Sequence, residues 1–469
     1  MRGGRNRRTE RIHMESRKEL QREKREERKK RRIRNQIMVY VVMVFLILAA
    51  AAGIVFGVNY LLKERTDTGQ NGQQTAQDPP SEVSSEGNQS KEELINDLLA
   101  DEKEITITPE PTPEVVEPTP EERLDEIVDA GIEAMSLEDK VAGLFFVTPE
   151  AITDVETAVK AGEGTRDALA QYAVGGLVYF KKNMQSEEQL KEMLSNTKQY
   201  ANYPVFLAVD EEGGTAARLG SAGIGPKVES AGNIGAVGDP QNAYNAGAAI
   251  GAAMAEIGFN VNFAPVADLA NVEGSVMEGR SYGADPGSVS DFVVSMMKGL
   301  EEQNVTACLK HFPGIGSSVQ DTHDGMASSE RTEEQFRAEE LAVFRAGIEA
   351  GAHMIMVGHM AAPGITGDNE PCIFSRHLIT DILREEMGYE GVIITDALNM
   401  SAISQYYGAD EAAIMAILAG CDMLLMPEDF EKAYQGVLQA IADGNISEER
   451  INDSLRRIYR IKYADMIVE

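Results

Sequence analysis

From about Arg123 to Glu469, short apolar runs alternate with amphipathic stretches, and the alternation repeats eight times. The runs are Leu144–Val147, Gly176–Phe180, Val205–Asp210, Val261–Pro265, Thr306–Lys310, Met354–Gly358, Gly391–Asp396 and Met423–Pro427. They are too short for buried helices and nearly continuous in apolar residues, as expected of strands covered on both faces of a parallel sheet. Between them, segments such as Ala243–Ile257, Glu333–Ala350, His377–Met387 and Ala409–Ala419 carry apolar residues at helical spacing. Eight strand-and-helix repeats over about 345 residues predict an α/β fold, a (β/α)8 TIM-like barrel with insertions. An open doubly wound sheet is the alternative arrangement of the same elements.

The pattern is different before residue 123. Residues 1–34 hold 16 Lys or Arg against 6 Glu, a basic tail of +10. Ile37 to Leu62 then runs 26 residues without a charge. A helix needs roughly 20 residues to cross a hydrocarbon core of about 30 Å, so residues 35–62 are expected to be one transmembrane signal anchor. Cleavage near Ala52, within a run of small residues, is the competing possibility. The basic flank would stay in the cytoplasm and leave the rest of the chain outside the cell membrane. Residues 63–122 are rich in Gln, Ser, Glu, Thr and Pro and read as a disordered stalk, stiffer toward its proline-rich end, with a short helix near Lys91–Asp101. Residues 123–469 form the expected barrel domain.

Charge narrows the partners. The chain carries −32 overall, so removing the +10 tail leaves −42 on the remainder. That acidity argues against nucleic acid and against anionic membrane surfaces as partners of the body, leaving the N-terminal helix as the only membrane contact. Cys308, Cys372 and Cys421 are odd in number and scattered, which suggests no disulfide framework, so stability must come from a large core.

The candidate chemistry lies where the apolar runs end. Asp210-Glu211-Glu212 follows the third run, Asp268 the fourth, Lys310-His311 the fifth, His359 the sixth, Asp396 the seventh and Glu428 the eighth. In a barrel these positions share the C-terminal face, where catalytic groups collect. The densest stretch is Lys310-His311-Phe312-Pro313-Gly314-Ile315-Gly316 followed by Asp321-Thr322-His323. The Gly-Ile-Gly-Ser-Ser stretch favours a mobile loop, and Asp321 is close enough in sequence to orient the His323 ring, making a proton-transfer pair. No His-x-His or His-Glu-x-x-His spacing indicates a metal, and nothing suggests a cofactor.

Taken together these residues resemble glycoside hydrolase family 3, specifically its single-barrel β-N-acetylglucosaminidase branch. The resemblance spans Met135 to Pro427 and rests on the Lys310-to-Gly316 and Asp321-Thr322-His323 motifs. Further elements are Val209 to Gly214 with Arg218, Val261 to Asp268, Arg280 to Pro286 and Ile394 to Met400. It implies that Asp396 is the nucleophile and that His323, paired with Asp321, is the general acid/base. It also implies that Asp210, Arg218, Arg280, Lys310 and His311 grip the sugar beside the scissile bond, with Lys310, Arg218 and Arg280 keeping Asp396 ionised. The expected activity is retaining hydrolysis of terminal N-acetylglucosamine from cell-wall fragments or related glycans. The short extent after the eighth run, with no space for a second α/β domain, favours the same branch.

Three positions depart from the family pattern: Ile315 where a second histidine is common, Glu211 where Gln is common, and Thr215 where Arg is common. They bear on substrate grip and on the loop rather than on the proposed chemistry. A phosphorylase or β-glucosidase on the same scaffold remains open, because a histidine acid/base tolerates an incoming phosphate. Schiff-base chemistry at Lys310 would leave Asp321, His323 and Asp396 without roles, and a non-catalytic wall-binding module would bind without turnover.

Overall fold

The computed structural model describes residues 118–321 and 325–464. The basic tail, the anchor over 35–62, the stalk as far as residue 117 with its short helix, and His323 lie outside the described residues. Among the described residues no helix is long and apolar enough to cross a membrane.

The stalk expected to run through residue 122 gives way earlier, because a helix, Pro120–Glu133, begins inside it. Thr119 Oγ1 accepts from Glu122 N at 3.2 Å and Glu122 Oε2 accepts from Thr119 N at 2.8 Å. This reciprocal cap satisfies two backbone donors, and Pro120 occupies the first helical position, where its missing N–H costs nothing. The last proline of the run therefore starts a helix instead of extending the stalk.

All eight expected strands form: β1 (Phe145–Val147), β2 (Gly176–Val178), β3 (Phe206–Val209), β4 (Val261–Asn262), β5 (Thr306–Phe312), β6 (Met354–Val357), β7 (Val392–Thr395) and β8 (Leu424–Leu425). Each pairs in parallel with its sequence neighbours, as in Phe146 with Gly176 and Met354 with Val392. The ends then join. Phe145 pairs with Leu424, Leu424 N donates to Leu144 O at 2.9 Å, and Thr395 N donates to Met423 O at 3.1 Å across the last seam. Closure decides for the barrel and against the open sheet, since a doubly wound sheet would leave two unpaired edges. A two-stranded hairpin, Glu211–Gly213 with Ala216–Ala217, is inserted after β3.

The barrel interior is packed by aromatic rings, with Phe146 at 6.3 Å from Phe206 and 5.3 Å from Phe263, centroid to centroid. Each buried ring contributes about 1.5–3 kcal/mol of transfer free energy. Gly176 makes room for them, because a Cβ there would stand 2.6 Å from the Phe146 ring. Helices Gln241–Ile257, Pro286–Glu301 and Ala409–Ala419 cover the outside. The single helix expected over 333–350 is broken at Glu339 into Glu333–Ala338 and Glu340–Glu349. The break turns Glu339 and the fully buried Glu340 toward Asn271, whose Nδ2 donates to both at 3.0 Å. The C-terminal helix Glu448–Tyr463 closes the N-terminal end of the barrel, where Lys140 meets Glu448 at 2.7 Å and Arg456 meets Asp129 at 2.9 Å. Cys308, Cys372 and Cys421 are all buried free thiols, in keeping with the absence of a disulfide framework.

Candidate active site

The C-terminal strand ends surround a cavity of about 420 Å³, within the size range of small-ligand sites. Asp210, Arg218, Arg280, Lys310, His311, Asp321 and Asp396 all line it, so every described residue assigned to the site from sequence converges there. His323 lies outside the described residues. Glu428, the polar residue after the eighth run, is exposed and not part of the lining; Leu425 and Met426 take its place.

The sequence reading ends the fifth strand at Lys310, but β5 continues through His311 to Phe312, with a shift of register against β6 at Lys310/Phe312. Lys310 is thus held on a strand and is only 3% exposed. A buried ammonium requires paired charge. Its Nζ lies 2.8 Å from Asp210 Oδ1 and 2.6 Å from Glu212 Oε1. Burial alone would lower its pKa, but Asp210 and Glu212 push it up to about 12. Arg280 forks onto the same glutamate, Nε to Oε2 at 2.9 Å and Nη2 to Oε1 at 2.7 Å. Burial tends to raise the Glu212 pKa, yet Lys310 and Arg280 hold it down at about 2. Arg218 Nη2 stands 3.7 Å from Asp210 Oδ2.

Glu212 is the residue that sequence reasoning left unassigned. Its signal was the alternation Asp210-Glu211-Glu212, because residues two apart in an extended segment face the same side. Glu211 points the other way into the hairpin. There Oε2 accepts from Leu219 N at 2.7 Å and Oε1 from Gly220 N at 3.0 Å, and its backbone N–H and C=O both pair with the Asn262 amide at 3.0 Å.

Asp268, also without an assigned role, is fully buried and clamps the next motif. Its Oδ2 lies 2.7 Å from His311 Nδ1, and its Oδ1 accepts from Ile315 N at 2.8 Å. With Nδ1 engaged, Nε2 is the His311 nitrogen left for the cavity. The Gly314–Ser318 stretch, expected to be mobile, is packed at its base. Ser275 Oγ donates to Gly316 O at 2.7 Å, and a Cβ on Gly316 would stand 1.6 Å from Leu269 O. Ile315 is buried in the cavity wall, and Thr215 lies at its exposed edge.

Asp396 follows β7 at the cavity floor, with its Oδ1 accepting from Ala397 N at 2.7 Å. Burial tends to raise its pKa, but His359, His311, the Ala397 N–H and then Lys310 bring it below the ordinary aspartate value. The cationic help expected from Lys310, Arg218 and Arg280 is therefore mostly committed to Asp210 and Glu212, and the histidines contribute more. His359 is fully buried, its Nε2 2.8 Å from Ala397 O. A carboxylate kept charged beside a wall of fixed hydrogen-bonding groups suits attack on an electrophilic carbon of a polyhydroxylated ligand.

Glu211 supplies a pH test. Burial, opposed by the backbone donors of Gly220, Leu219 and Arg218, raises its pKa from 4.5 to about 7. The folded protein then binds a proton more tightly than the unfolded chain, so stability falls as pH rises from about 4.5 to 7 and levels off above. Glu211→Gln removes this dependence. Urea unfolding should show the variant gaining on the wild type by about 2–3 kcal/mol between pH 4.5 and 8. A difference that does not change with pH would rule out titration of Glu211 in that window.

The glycosyl hydrolase family 3 N-terminal domain matches residues 136–461. β-Hexosaminidase A of Pseudoalteromonas piscicida is 30% identical over 63% of this chain, which spans 54% of that protein's length. A β-hexosaminidase of Stenotrophomonas maltophilia is 35% identical over 58% of this chain and 82% of its own. Among solved structures, a family 3 β-N-acetylglucosaminidase from Paenibacillus sp. superposes with a TM-score of 0.66 at 32% identity, covering 71% of this chain and 63% of that one. A family 3 member from Mycobacterium smegmatis gives 0.63 at 28% identity, covering 70% and 98%.

Proposed function

The chain belongs to glycosyl hydrolase family 3, and from that premise we propose that it is a retaining β-N-acetylglucosaminidase that releases terminal N-acetylglucosamine from cell-wall fragments or related glycans. The observation that carries this reading is Asp396, held ionised at the floor of a cavity walled by Asp210, Glu212, Lys310, Arg280 and His311. Relatives named β-hexosaminidase at 30% and 35% identity support the amino-sugar specificity.

In this mechanism Asp396 attacks the anomeric carbon while His323 protonates the leaving oxygen. His323 then deprotonates the water that releases the sugar from the glycosyl-enzyme. An imidazole with an ordinary pKa near 6.5 can make both transfers around neutral pH. Asp321 lines the same cavity two residues before it in the chain. Aryl β-N-acetylglucosaminide should be hydrolysed with a kcat/KM at least about two orders of magnitude above that of aryl β-glucoside, because a site that hydrogen-bonds a substituent rejects the analogue lacking it. Turnover of the glucoside alone would overturn the specificity.

We further propose that the uncharged Ile37–Leu62 segment anchors the enzyme in the cell membrane with the barrel outside, behind the basic tail. Protease added to intact cells should release active barrel by cutting in the Pro/Ser-rich segment. Activity that stays protected until lysis would reverse the orientation.

A further inference from the structure

A second cavity, of about 330 Å³, opens at the opposite end of the barrel. It lies between helix His377–Glu386, the end of helix Ala409–Ala419 and the start of helix Glu448–Tyr463. One wall is cationic, formed by Arg376, Arg384, Arg450 and Arg457; the other is apolar, formed by Ile417, Leu418 and Ile446.

The charge of this cavity is not balanced. Asp422, fully buried just before β8, accepts from Arg384 Nη2 at 2.7 Å, Ser454 Oγ at 2.8 Å, Ile393 N at 3.0 Å and Arg457 Nη1 at 3.2 Å. Arg450 Nη1 is 3.7 Å away. These contacts fill the acceptor positions of one carboxylate, so a single negative charge faces three guanidinium groups. Asp453, the other acid of the lining, meets Arg456 at 2.8 Å, but that arginine also binds Asp129 and Glu449, so the Asp453 charge still counts in the cavity. Arg376 adds a fourth guanidinium at the exposed rim, where it makes no ion pair among the described residues, so four cations face two carboxylates and two positive charges are left over. Burial lowers the Arg384 pKa, and Arg457 and Arg450 push it down further against Asp422. Clustered, partly buried cations normally come with equal countercharge, and here the excess occurs on a chain of net charge −32.

From this geometry we infer a second ligand site, taking the phosphate group of a small organic phosphate. A phosphate monoester carries about −1.5 to −2 near neutral pH and three acceptor oxygens, matching the surplus charge and the fork geometry of guanidinium groups. Leu418, 47% exposed, with Ile417 and Ile446 offers the ester's carbon body an apolar surface. The volume is at the small end of ligand pockets, which run from about 300 to 1,000 Å³. The site is separate from catalysis: Asp422 and Ile393 stand at the beginnings of β8 and β7, whereas Met426 and Asp396 stand at their ends.

The test is thermal unfolding of the full chain with phenyl phosphate, inorganic phosphate, benzoate or chloride at matched ionic strength. Phenyl phosphate should raise Tm in proportion to the logarithm of its concentration above Kd, on the order of 3 °C at a hundredfold excess. Inorganic phosphate should do so more weakly, and benzoate and chloride at matched ionic strength should leave Tm unchanged. Leu418→Glu sets a carboxylate against the arginines at an exposed position and should weaken phenyl phosphate at least tenfold. Arg376→Gln, also exposed, should weaken it several-fold. A benzoate effect equal to that of phenyl phosphate, the absence of any shift with phenyl phosphate, or a shift unchanged in Leu418→Glu would each overturn the assignment.

Discussion

Replacing Asp396 by asparagine is expected to lower kcat on any β-glycoside by about four orders of magnitude or more while leaving Tm close to that of the wild type. The amide is nearly isosteric, and its oxygen can keep the 2.7 Å bond from Ala397 N. Among the described residues no lysine or arginine forms an ion pair with Asp396, so the substitution strands no buried lysine or arginine there. What is lost is the negative charge that His359, His311, Ala397 and Lys310 maintain against burial. A 2-fluoro-sugar inactivator should label the wild type at Asp396 and leave the variant unlabelled; reproducible labelling of another carboxylate would falsify the assignment. His323→Ala should behave differently, because protonation matters most when the leaving oxygen is a poor one. Glycosyl-enzyme formation from sugar substrates should slow by orders of magnitude, while the burst from activated aryl glycosides should be much less affected. Equal losses in the two bursts would make His323 a positioning residue.

The second large effect is expected at Glu212. Its buried carboxylate binds the buried Lys310 at 2.6 Å and the partly exposed Arg280 through two bonds at 2.7 and 2.9 Å. Glu212→Gln leaves Lys310 with Asp210 alone and removes the partner of Arg280. Breaking one member of such a buried network costs about 3–5 kcal/mol, and misplacing two groups that line the cavity should reduce kcat/KM on the order of a hundredfold. The pH dependence follows from the depressed pKa. The folded value is about 2 against an ordinary 4.5, so the stabilisation is complete above about pH 4.5 and is lost as pH falls toward 2. Urea unfolding of wild type and Glu212→Gln should therefore differ most at neutral pH and converge below about pH 3. A gap that stays constant from pH 7 to 3 would show that the charge of Glu212 is not what stabilises the fold.

Much of this protein can be read in one dimension. Apolar runs such as Phe206–Val209 and Val392–Thr395 declare buried parallel strands because burial on both faces demands continuous apolar sequence. The helical spacing between them, repeated eight times, specifies the barrel class, and the barrel in turn sends Asp210, Lys310 and Asp396 to one face. Such features depend on neighbours within one strand or one helical turn. Local cues also mislead: Thr119-Pro120 resembles the stalk before it, and Gly314 to Ser318 resembles a free loop, until the Thr119–Glu122 cap and the Ser275–Gly316 contact are seen.

The tertiary structure alone decided closure, made at Ile394 with Met423 and Phe145 with Leu424, and the pairing of charges inside the site. Lys310 could have served Asp396, but it is bound to Asp210 and Glu212, about a hundred residues earlier; Asp268 holds His311 from the adjoining strand end. Burial makes every such charge require a partner, and a partner is chosen by distance across the barrel. Periodicity along the chain carries the orientation of each side chain but not that distance.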